Sequence, residues 1–141
     1  MALRVDPASD EDLKRLIPVI FDAYGGHNPY LNAAFPRNLT KEGQEKALQR
    51  VLDMQVSNET SQWEKVTDTA TGEIIGGAMW LIYQKEKSEI HELDGPSGTW
   101  ENETEKEYAQ ALYNSYVREE RAFWESNHLA PVSKLSLPSG K

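Results

Sequence analysis

Cysteine is absent from the chain, which excludes a disulfide framework, a thiolate metal site and a thiol nucleophile. Long apolar runs are absent too. The longest, Ile74 to Tyr83, is ten residues, about half of what a membrane span needs. The first residues, Met-Ala-Leu-Arg-Val-Asp-Pro, hold no apolar region of the signal-peptide kind. Basic charge is scarce: 15 Lys and Arg stand against 23 Asp and Glu, a net charge of −8. With no basic cluster, generic binding to a phosphate backbone is excluded. No nucleic acid and no membrane is therefore expected as a partner, and the expected location is the cytoplasm or nucleus. The sequons at Asn38, Asn58 and Asn102 are then expected to be chance matches.

Leu, Ile, Val and Phe are also few. They number 29 of 141 residues, about a fifth, at the border below which chains fail to pack a core. Four Trp and six Tyr pull the chain back to the folded side. The composition predicts one folded domain with a thin core.

Along the chain, Leu3 and Val5 before Pro7 predict a short strand over about 2–7. Ser9 or Asp10 can cap a following helix, and Asp10, Glu11 and Asp12 suit its positive end. Leu13, Leu16, Ile17, Ile20, Phe21 and Tyr24 repeat at helical spacing up to Gly25-Gly26, with a kink expected at Pro18. Residues 25–39 carry aromatics and two prolines without a period, and read as a loop. A second helix starts at Thr40 and places Ala47, Leu48, Val51 and Leu52 on one face. Two strands, about 62–70 and 73–84, flank a hairpin turn at 68–73. The second is apolar on both faces, as central strands are, and Gly76-Gly77 inside it predicts a bulge or a close backbone approach. Residues 85–107 hold eight acids and three bases, and read as a solvated excursion. Asn102 and Glu105 then resemble a capping box for a long amphipathic helix.

This order, with the phrase Gly-Glu-Ile-Ile-Gly-Gly-Ala-Met-Trp in the second hairpin strand, resembles the first half of GNAT-superfamily N-acetyltransferases. There, a first strand and two helices precede a hairpin of this kind. The excursion and long helix look like the insertion of filamentous-fungal GNAT-like proteins. The resemblance implies an α+β fold, an antiparallel sheet with three helices like the N-terminal half of the GNAT acyltransferase fold. It implies a partial GNAT-like domain over 1–131, with an acidic insertion over 85–107 and a long helix over 102–127. An unrelated or disordered tail follows over 132–141. Val132-Ser133 matches the in-frame translation of a splice-donor consensus, so that tail is expected to come from a retained intron or a mis-assigned gene model.

The family's activity is acetyl transfer from acetyl-CoA to an amine, by direct attack of the neutral amine as a base removes its proton. Its diagnostic loop, Arg/Gln-x-x-Gly-x-Gly/Ala at a helix start, holds the coenzyme pyrophosphate on backbone N–H groups. No segment of this sequence matches that pattern. The chain is therefore expected to be inactive alone and to hold no cofactor itself, acetyl-CoA belonging to the full-length family. No catalytic residue is assigned. Tyr24, His27 and Tyr30 fall in the loop that helps wall the acceptor site in the family, and Trp80 could floor it. The competing reading makes these aromatics cover for a small core.

Other constellations fail. His91-Glu92 lacks the second histidine of a zinc-protease helix, and no metal site is expected. Glu119-Glu120, beside Arg118 and Arg121, reads as a solvated charge ladder. A second functional reading is a non-catalytic interaction protein derived from a GNAT half-domain. Its exposed sheet edge, on the strand Glu73 to Tyr83, would pair with a partner strand or a second copy. A third is a complete small domain in which helices fully cover that strand.

Overall fold

The computed structural model describes residues 2–83 and 91–126. It is an α+β arrangement with strand β1 (Leu3–Pro7), helices α1 (Asp10–Tyr24), α2 (Pro29–Ala34) and α3 (Lys41–Ser57), the hairpin β2 (Ser61–Asp68) and β3 (Glu73–Leu81), and helix α4 (Glu103–Ser126). The three strands form one antiparallel sheet in the order β1-β2-β3. The expected tail over 132–141 lies outside the described residues.

Each helix begins where local chemistry supplies acceptors for its free N–H groups. Ser9, not Asp10, caps α1: Ser9 Oγ accepts from the Asp12 N–H at 3.1 Å, and Asp12 Oδ2 accepts from the Ser9 N–H at 2.9 Å. The helix runs on through Pro18 and ends on Gly25, at φ +62°. Thr40 caps α3. Asn102 caps α4, but Glu105 reaches back to the N–H of Glu101 instead of closing the box on Asn102.

Two expectations need correction. The loop 25–39 contains a fourth helix, α2, whose signal was present as Asn28 at the cap and Pro29 at the first helical position. The segment 85–107 is not simply solvated where it is described. Over 91–100 it is pinned by Arg50 to the Asp94 carbonyl, by Lys46 to the Gly98 carbonyl and by an Asp94–Lys106 ion pair of 2.8 Å. Thr99 is buried. Cations from α3 and α4 supply what the acidic run lacks.

The core lies on one face of the sheet. Leu13, Leu16, Ile17 and Phe21 of α1 meet Ala47 and Val51 of α3 and Ile74 of β3, with Trp63 packed against them. Gly77 lets α1 lie directly on β3: a Cβ there would stand 2.6 Å from Leu16 Cδ2 and 2.6 Å from the Glu64 carbonyl oxygen. Both outcomes expected of Gly76-Gly77 occur, because the pairing also shifts beside them. Val66 faces Gly76 while Thr67 faces Ile74, leaving Ile75 as the extra residue of a bulge.

Strand β3 is at the sheet edge among the described residues, and β2 is central. The apolar run of β3 therefore does not mark a central strand. Nor is β3 fully covered, as the third reading requires: α1 packs on one face and Ile75 is 41 % exposed.

Candidate functional site

The register sorts every strand residue onto one of two faces, because side chains alternate along a strand. Trp63, Lys65, Thr67, Gly77 and Ile74 share the face that α1 covers. Lys65 donates to Asp12 Oδ2 of α1 at 2.8 Å, which confirms the assignment. Arg4 and Asp6, opposite Thr67 and Lys65, also point to that side. The other face holds Leu3, Val5, Gln62, Glu64, Val66, Asp68, Gly76, Ala78 and Trp80. Among the described helices and strands, none packs on it. Leu3 is 54 % and Val5 58 % exposed.

Trp80 therefore stands on the sheet face opposite to α1, the helix that ends in Tyr24. Its Nε1 is buried without a hydrogen-bond partner among the described residues. Tyr24 and His27 are exposed around the Gly25-Gly26 turn, where the His27 N–H donates to the Tyr24 carbonyl. Tyr30, on α2, is half-buried, its ring edge-on to Tyr116 of α4 at 4.9 Å. Burial pushes its phenol above the ordinary value, and Tyr113 adds to the shift. Tyr24, His27 and Tyr30 thus gather at the α1–α2 connection, while Trp80 does not join them. Tyr30 acts there as packing between α2 and α4.

Sequence reasoning missed the residue that organises this end, Arg50 of α3. Its guanidinium donates to the Ala34 and Asp94 carbonyls and stacks over Phe35 at 4.4 Å and Trp100 at 5.5 Å. Burial lowers its proton affinity from the ordinary value, opposed by Tyr30 and Asp94. A cation on an apolar helix face, two residues after Leu48, was the available signal. Trp100, whose Nε1 donates to the Ala33 carbonyl at 2.8 Å, was missed as well.

Beside Trp100 an open groove of about 640 Å³ lies between α2 and the start of α4, lined by Pro29, Ala33, Pro36, Arg37, Trp100 and Tyr108 among others. None of the four residues expected at an acceptor site lines it. Its acids are engaged: Glu101 faces Arg37 at 3.7 Å and Glu105 Oε2 accepts from the Glu101 N–H. Among the described residues no group of three or more His, Asp or Glu could hold a metal ion. No described helix is long and apolar enough to cross a membrane.

The starts of the described helices differ in charge and donors. Acids occupy the first turns of α1, α3 and α4, where they repel an anion that a helix dipole would otherwise attract. The six-residue α2 has Pro29 in place of one N–H donor.

No family model matches the chain, and no curated protein or solved structure does either. Among the described residues, the molecule's own geometry offers an apolar, acid-flanked sheet face and an unpaired edge on β3.

Proposed function

We propose that this chain forms the acceptor side of a GNAT-type acetyltransferase-like domain and transfers no acetyl group by itself. The observation that carries the reading is the sheet: β1 and β2 are joined through a helical layer, β2 and β3 form a hairpin, and β3 is left as an edge. Apart from the short extra helix α2, this order is compatible with the family's first half. The acid-filled starts of the described helices and the lack of an Arg/Gln-x-x-Gly-x-Gly/Ala segment support the second clause.

Calorimetry with acetyl-CoA tests it, alongside thiol release in the presence of small amines. The expected result is no saturable heat and no thiol above background. Saturable acetyl-CoA binding by the 141-residue chain overturns the proposal. The genomic sequence at the Val132 codon tests the retained-intron reading of the tail: no GT there, or no downstream exon encoding an acetyl-CoA loop, removes it.

A second reading, an interaction protein that captures a strand, is favoured by the same edge of β3. It predicts concentration-dependent association in sedimentation, and a monomer at all concentrations counts against it.

A further inference from the structure

Strand β1 has an unusual orientation. It sends Arg4 and Asp6 to the side of the sheet where the helices pack, and Leu3 and Val5 to the bare side. A one-residue slip would exchange the two sets, so the observed register commits the apolar pair to a face with no described element on it. Val66, Ala78 and Trp80, each half-buried, share that face across β2 and β3. A face patterned this way is half of a second core.

Its charged residues are all acids. Glu64, Asp68 and Glu73 lie on this face beside the neutral Gln62, whereas Arg4, Asp6 and Lys65 project to the other side. No ion pair involves Glu64 or Asp68 among the described residues. A second copy laid on this face would bring acids against acids, in a chain whose net charge is already −8. The size of the face selects the shape of the occupant. Three strands span about 10 Å, the diameter of one helix. From Gln62 to Asp68 the central strand runs about 20 Å, the length of about 13 helical residues.

We propose that this sheet face docks a single amphipathic helix of a partner protein, with an apolar stripe seated on Leu3, Val5, Val66, Ala78 and Trp80 and with Lys or Arg on its flanks facing Glu64 and Asp68. The proposal stands apart from the acetyltransferase reading and uses the face of the sheet, not the β3 edge.

The test titrates the full chain with two designed helical peptides that share one Leu/Ala stripe, one flanked by Lys and Arg and the other by Glu. Backbone and methyl NMR shifts and Trp fluorescence follow the binding. The basic peptide should shift Leu3, Val5, Val66, Ala78 and Trp80, and bind at least about tenfold more tightly than the acidic one. Val5→Glu changes an exposed side chain, so the fold is retained, and should weaken the basic peptide about tenfold. Glu64→Lys should reverse the preference between the peptides. Equal binding of the two peptides overturns the proposal, as does no binding at millimolar peptide by a folded chain. Shifts confined to the β3 edge or to the α2–α4 groove overturn it too. So does a dimer of the free chain that Val5→Glu dissolves, or binding to neutral lipid vesicles in place of the peptide.

Discussion

Replacing Asp12 with alanine removes a carboxylate that accepts from Lys65, Ser9 and Arg15. Asp12 Oδ2 accepts from Lys65 Nζ at 2.8 Å and from the Ser9 N–H at 2.9 Å, while Oδ1 accepts a longer bond from Arg15. The Asp12 and Lys65 side chains are 12 % and 18 % exposed, so the substitution opens one arm of the α1 capping box and strands a largely buried ammonium. Losing one partner of a fully buried pair costs about 3–5 kcal/mol, and a cap interaction about 1 kcal/mol. Residual solvent access lowers the first figure, giving a total of about 2–3 kcal/mol. For a chain of this size that lowers Tm by about 10 °C.

Urea and thermal unfolding followed by circular dichroism measure the effect. A double-mutant cycle with Lys65→Met should yield a coupling of about 1–2 kcal/mol. The pH dependence provides an independent check. The Lys65 ammonium, followed by the Ser9 N–H, holds the Asp12 carboxyl well below its ordinary 3.8. Its folded form therefore binds a proton less readily than its unfolded form. The stabilisation is complete above the unfolded value and is lost as pH falls below about 3.8. The gap between wild type and Asp12→Ala should be full at neutral pH and close under acid. A loss below about 0.5 kcal/mol, or purely additive single mutants, refutes the reasoning.

Two further outcomes follow from the packing. Gly77→Ala forces a methyl against the Glu64 carbonyl and Leu16, and should cost about 1–3 kcal/mol in thermal melts despite the better strand propensity of alanine. Arg50→Met keeps the stem but frees the Ala34 and Asp94 carbonyls, so amide exchange should accelerate over residues 91–100 more than in the core of α1.

The hairpin, the α1 pattern and the caps at Ser9, Thr40 and Asn102 were legible in the sequence because each is a local device. The start of α2 was equally local, but Asn28-Pro29 sits inside a stretch without apolar periodicity, which hid it. What stayed illegible depends on partners distant along the chain. Alternation shows that Leu3 and Val5 share a face, but only the pairing with β2 decides which face carries the helices. The acidic run around Asp94 looked solvated because its counter-charges, Arg50 and Lys106, come from two helices. The candidate acceptor residues divide for the same reason: Trp80 is separated from Tyr24 by the sheet itself. Asn38 shows the converse. Its sequon suggests an exposed acceptor, yet the side chain is 5 % exposed, donating to the Phe35 carbonyl and Asn32 Oδ1.

The bulge at Ile75 gives the β2–β3 hairpin one position where its length is negotiable. Because Ile74 and Gly76 already face consecutive residues of β2, loss of the intervening codon would leave both in register and keep Ile74 in the core. Loss of Ile74 or Gly76 can be absorbed there too, but only by moving Ile75 into the lost residue's place opposite Thr67 or Val66. A one-residue shortening of β3 thus changes no cross-strand partner only when Ile75 is the residue lost.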